Sequence, residues 1–97
     1  DTPTSWHDPM MVLIERESNF NPNAVNGWDS NAKGGDPSRG LCQVIMATFV
    51  WCKHPGAPND IMNPLANICA AINWIKFKYG DIRFVQQANK NLPPKGY

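Results

Sequence analysis

Only two glutamates occur among the 97 residues, Glu15 and Glu17, and both fall in one short segment. Met10, Leu13, Ile14 and Glu17 recur at i, i+3, i+4, i+7, the spacing of one helical face. That spacing predicts Glu17 on an apolar stripe and turns Glu15 elsewhere. A carboxylate in such a place is costly to ionise, so its pKa rises and it keeps its proton near neutral pH. A neutral carboxylic acid of that kind can donate a proton to a glycosidic oxygen. The competing reading is a helix-end glutamate that rotates to solvent or caps a backbone group.

Asp29 and Asp36 are the candidates for a second carboxylate, since glycosidases that use a pair hold it about 5–5.5 Å apart when retaining and about 6.5–9.5 Å when inverting. Calcium competes for the same loop because Asp29-Ser30-Asn31 opens like an EF-hand. Lys33 at the fifth position and Gly40 at the twelfth argue against it. Cys52 and His54 are two residues apart, a spacing that points them away from each other on a helix, so His7 and His54 are read as surface residues. Ser18 is read as a helix-end hydrogen-bonding group. Cys42, Cys52 and Cys69 are odd in number and form no C-x-x-C pair, which favours three buried, inert thiols over a disulfide framework or a zinc site. Four tryptophans suit either a core or stacking on sugar rings.

The elements that must position these groups are mostly helical. Asp8 is the expected N-cap of a helix running to Ser18, with Pro9 in its first turn and Asn19 to Pro22 ending it. Residues 26–40 form a long, turn-rich loop with room for at most one short β-hairpin, turning near Lys33-Gly34-Gly35-Asp36. Leu41 to Ile45 reads as helical, and Ala47 to Lys53 as a third short helix stopped before Pro55-Gly56. Asn63-Pro64 opens the clearest helix, with Leu65, Ile68, Ile72, Ile75 and Tyr79 as its buried stripe and Gly80 as its end. The last residues read as a short turn and a tail.

Composition bounds the rest. The length is that of a single domain, residues 1–97. A hydrophobic content of 42% argues against disorder. Nine basic and eight acidic residues give a net charge of +1, with no basic run to bind nucleic acid. No stretch approaches the roughly 20 apolar residues of a membrane span, and nothing at the start reads as a signal peptide. A first residue Asp1 in place of Met suggests a processed product or an excised domain.

Three blocks in order carry a resemblance. Glu17-Ser18-Asn19-Phe20-Asn21-Pro22-Asn23-Ala24, then Gly40-Leu41-Cys42-Gln43 with Thr48, then Asn63-Pro64-Leu65-Ala66-Asn67-Ile68, resemble the soluble lytic transglycosylase family. The family patterns are E-S-x-F-x-P-x-A, G-L-M-Q-x-x-P-x-T and N-P-x-x-N-I-x-x-x-x-x-Y, with Trp74 here at the last Tyr. The loop from Trp28 and the closing Gly96-Tyr97 are most similar to short versions in tail tape-measure proteins of phages infecting actinobacteria. The resemblance implies a lysozyme-like, mainly α (α+β) fold and cleavage of the MurNAc–GlcNAc β-1,4 bond of peptidoglycan. It implies one glutamate, Glu17, as acid and then base, a 1,6-anhydro product, and neither cofactor nor metal. Asn26 matches a polar position near the catalytic glutamate, and Gln43 matches a glutamine lining the sugar site. With Asp29, Ser18 and Trp74 they make the expected substrate-binding set. The expected partner is a peptidoglycan strand met by a monomer, in a phage tail or at the cell wall from the exterior or periplasm, without nucleic acid or membrane insertion. The alternatives are a muramidase using Asp29 or Asp36 with water, and a non-catalytic wall-binding domain. Cys42 stands at the family's Met and Met46 at its Pro, and Gln87-Ala88-Asn89 is a poor match to the family's A-Y-N-A-G block.

Overall fold

A computed structural model describes residues 2–27 and 33–97. Helix α1 spans His7–Ser18 and follows a 3-10 turn at Thr4–Trp6. The start predicted at Asp8 therefore moves back, with Trp6 at the cap position. Asp8 lies in the first turn, where its charge suits the helix dipole and its Oδ1 lies 3.0 Å from the His7 Nδ1. Pro9 stays in the first turn, where no N–H is required. At the other end Asn19 takes φ 52, a left-handed conformation that asparagine tolerates, and its N–H returns to the Glu15 carbonyl at 2.9 Å.

The segment Leu41 to Ile45, expected as a helix, is a tight reversal instead. Gly40 and Gln43 both have positive φ, 79 and 54, and Arg39 and Val44 exchange two backbone hydrogen bonds of 3.0 Å. Its apolar residues, Cys42 and Val44 among them, are buried from a turn, and so short an apolar run has no diagnostic period. The hairpin expected in 26–40 reduces, among the described residues, to isolated antiparallel bridges of Arg39 with Val25 and with Val44. Arg39 alone serves both partners, so no ladder grows.

Helix α2 spans Met46–Cys52 and packs on helix α3, Pro64–Lys78. The start of α3 is as expected: the Asn63 side chain accepts from the Ala66 N–H at 3.1 Å and Pro64 takes the first helical position. Gly80 ends it at φ 82, donating to the Ile75 carbonyl. The buried face is only partly the predicted one: Ile75 is fully buried as expected. Leu65 is 58% exposed, Ile68, Ile72 and Tyr79 are half-buried, and Ala66, Asn67, Ala70, Ala71 and Ile75 face the interior. This helix is apolar nearly all round, so large side chains do not mark the core side; the alanines do, by permitting close approach.

Asn67 is the buried hub. Its Oδ1 accepts from the Cys42 N–H at 2.8 Å, and its Nδ2 donates to the carbonyls of Arg39 and Ile61, each at 2.9 Å. A Cβ at Gly40 would lie 2.8 Å from the Asn67 Cγ and nearer still to its Nδ2, so only glycine lets the reversal press against this amide.

The chain closes on α1 through 3-10 turns at Ile82–Phe84 and Gln86–Ala88. Arg16 clamps this segment, donating from Nη1 to the carbonyls of Gln86 (3.3 Å) and Gln87 (3.4 Å) and from Nη2 to that of Leu92 (2.8 Å). Leu13, Ile75 and Val85 from these distant stretches meet in one core. Each fully buried side chain of this kind contributes about 1.5–3 kcal/mol. The cysteines are free thiols; Cys42 and Cys52 are buried, but Cys69, expected to be buried, is half-exposed on α3. Among the described residues no helix is long and apolar enough to cross a membrane.

Candidate active site

The end of α1, the 39–44 reversal, the start of α2, the middle of α3 and the closing tail surround one cleft of about 350 Å³. Glu17, Asn26, Gln43 and Trp74 all line it, together with Ser38, Thr48 and Tyr97. Glu17 projects from the last turn of α1 and is half-buried. Burial pushes its carboxyl above the ordinary glutamate value, and a hydrogen bond from Gln87 partly offsets that. Gln87 is itself buried; its Nε2 donates to Glu17 Oε2 at 2.8 Å, while its Oε1 accepts from the Lys95 N–H at 2.8 Å. Glu17 thus touches a relay that ends in the tail backbone.

Each wall has a local cause. Gln43 stands at the crest of the reversal, and its Nε2 donates to the carbonyls of Ala24 (3.1 Å) and Gly40 (2.9 Å), bracing the loop from inside the cleft. Asn26 is set by its own N–H donating to the Ser38 carbonyl at 2.9 Å. Tyr97 crosses from the tail to donate its hydroxyl to the Cys42 carbonyl at 2.7 Å. Burial first, then the neighbouring Cys42 and Glu17, push its phenol well above the usual value, so it stays protonated. Burial, with a smaller push from Glu17, also raises the Cys42 thiol beyond the range where a thiolate forms.

The transglycosylase SLT domain model matches residues 1–89. The chain belongs to the SLT transglycosylase family. The family is one of peptidoglycan lytic transglycosylases. A stretch of 84 residues, 87% of this chain, is 51% identical to the uncharacterized protein YqbO of Bacillus subtilis (strain 168), of which it spans only 5%. No solved structure is a significant match.

Within this SLT domain, one expected site residue lies elsewhere. Ser18 is not among the residues lining the cleft; its hydroxyl donates to the Ile14 carbonyl at 3.1 Å, the helix-end role its position suggested. Asp29 and the EF-hand-like residues around it lie outside the described residues. Asp36, offered as a second carboxylate, is occupied by a structural task. Its Oδ1 accepts from the Met46 N–H at 2.8 Å and its Oδ2 from the Ala47 N–H at 3.1 Å, and Arg39 Nη1 sits 3.2 Å from Oδ1. Residual desolvation raises its pKa, but these N–H groups and the guanidinium outweigh it and hold the carboxyl below the usual aspartate value.

A group depressed in this way stabilises the fold above its unfolded pKa of about 3.9, and the contribution disappears as pH falls through the lower folded value. Asp36→Ala is therefore expected to cost about 1–2 kcal/mol at pH 7 by uncapping α2. Urea melts of the two proteins should converge at the acid end. A constant gap down to pH 2 would show that the carboxylate charge is not what holds α2.

Gln87 and Tyr97 were not among the expected site residues. The one signal for Gln87 was its place in the segment that failed to match the A-Y-N-A-G block; for Tyr97 it was the similarity of the closing Gly-Tyr.

Proposed function

We propose that this SLT domain cleaves the MurNAc–GlcNAc β-1,4 bond of peptidoglycan as a lytic transglycosylase, with Glu17 as acid and then base. The observation that carries the reading is Glu17 itself, the only carboxylate among the described residues lining the cleft, half-buried and biased toward its neutral form. Because Oε2 accepts from Gln87, Oε1 is the oxygen left to present the proton to the substrate. That proton passes to the glycosidic oxygen as the C1–O bond breaks, and the substrate's own 2-acetamido oxygen closes on C1. The Glu17 carboxylate then takes the proton of the C6 hydroxyl, whose oxygen attacks C1, displaces the acetamido oxygen and closes the 1,6-anhydro ring. The chemistry needs one carboxyl, which agrees with Asp36 being engaged at α2. On this reading the protein works at the bacterial wall, reached from a phage tail or from the exterior or periplasm.

The test is digestion of purified sacculi with products identified by mass spectrometry. Anhydro-ended muropeptides support the proposal. Reducing ends would convert it to a muramidase and direct attention to Asp29. Binding without release of any fragment would leave a wall-binding domain.

The pH profile supplies a second check. Glu17 must start protonated, so kcat/KM should fall as pH rises through its elevated pKa. Gln87 donates to the charged form and holds that pKa down. Gln87→Leu should therefore move the alkaline limb to higher pH while lowering kcat through a less well-oriented acid. A limb that stays in place would remove Gln87 from the proton chemistry.

A further inference from the structure

Trp74 does not stand alone in the cleft wall. One turn further along α3 lies Phe77, whose ring centroid is 6.1 Å from that of Trp74 at an interplanar angle of 33°. Phe77 in turn meets Trp51 of α2 edge to face, with centroids 4.4 Å apart. Trp51 and Phe77 are 62% and 66% exposed, a large aromatic surface for a chain of this size to leave in water. The same progression occurs on α2, where Thr48 lines the cleft and Trp51 follows one turn later. The Asn73 Nδ2 donates to the Cys52 carbonyl at 2.7 Å and ties the two helices together beside the aromatic rings.

We propose that Trp74, Phe77 and Trp51 form an extended glycan-stacking ridge that carries the peptidoglycan strand out of the Glu17 cleft along the α2–α3 seam. This rests on reading the cleft as a peptidoglycan site. Three features favour a glycan over a protein occupant. The ridge is continuous with the cleft through direct ring contact at Trp74. Exposed aromatic rings suit the apolar C–H faces of pyranose rings. Cations border it as well: Lys78 Nζ lies 5.3 Å from the Trp74 centroid, and Lys53 shares a hollow with Trp51 and Phe77. These suit the lactyl and stem-peptide carboxylates that a peptidoglycan strand carries.

The test is co-sedimentation with insoluble peptidoglycan, using Glu17→Gln to prevent digestion, alongside cleavage of sacculi and of a short soluble glycan by proteins with Glu17 intact. Trp51→Ala and Phe77→Ala should each weaken sedimentation about tenfold, as removal of a stacking anchor does. Both should also lower the ratio of sacculus to short-glycan cleavage. Trp51→Tyr should restore most of the binding, and Phe84→Ala, an exposed aromatic elsewhere, should leave it as it was. Binding that ignores Trp51 and Phe77 overturns the ridge even if anhydro products form, and would return these rings to a protein contact. Failure of the wild type to cleave, with sedimentation still dependent on Trp51, overturns the enzymatic reading and leaves the ridge standing. No sedimentation at all overturns both.

Discussion

Glu17→Gln is expected to lower anhydro-muropeptide release by about 10²–10⁴-fold, the usual worth of a positioned acid and base, without loss of the fold. The substitution keeps the side chain's shape and an oxygen for Gln87 Nε2 to donate to, so the cleft wall stays closed. Stability then separates chemistry from folding. Burial raises the folded-state pKa of Glu17 above its unfolded value, so its protonated form stabilises the fold at low pH and that contribution is lost as pH rises through the raised value. Glutamine never ionises. The variant should therefore match the wild type in acid and exceed it in thermal stability above the Glu17 pKa. Full activity with glutamine at position 17 would dismiss Glu17 as the acid, and a variant less stable than wild type at every pH would mean that the site has collapsed.

The largest effect on the fold is expected at a residue that touches no substrate. Asn67→Leu keeps the branched outline of the side chain and strands the Cys42 N–H and the Ile61 carbonyl in a buried place, while the Arg39 carbonyl keeps only its bond from the Val44 N–H. Each orphaned group costs about 1–3 kcal/mol, so the loss is on the order of 2–6 kcal/mol. Domains of this size have about 5–15 kcal/mol in total, and a melting point lower by about 10 °C or more should follow. Because Asn67 holds the reversal that carries Gln43, any folded fraction should also bind glycan poorly. A melting point within a few degrees of the wild type would show that the 39–44 reversal stands without its buried amide.

Where the determinants are local, the sequence and the structure agree. Asn63-Pro64 and Gly80 delimit α3 because cap, proline and left-handed glycine act within a turn of one another. Glu17 falls on the inner face of α1 because helical spacing alone puts it there. Asn26, Gln43 and Trp74, singled out by the family pattern, line one cleft with Glu17. Long-range contacts were not legible. Nothing in Gln87 signals that it would meet a carboxylate 70 residues earlier, nor in Tyr97 that it would reach the Cys42 carbonyl 55 residues back. The helix expected at Leu41 to Ile45 failed because apolar residues buried from a turn look like those buried from a helix. Leu65 was misplaced because α3 is apolar on several sides and its alanines take the contact face.

The relay from Glu17 through Gln87 to Lys95 also has a consequence for the order in which the protein is made. Synthesis proceeds from the N-terminal end at about 5–20 residues per second, and α1 leaves the ribosome long before its partners at 87–97. Contacts spanning 70 residues or more, those of Gln87 and of the Arg16 clamp among them, must wait until residues 86–97 have emerged. A nascent chain can therefore carry its acid without the amide that orients it or the tyrosine that closes the wall. The wall of the cleft is complete only when residues 86–97 have packed back onto α1 and the 39–44 reversal.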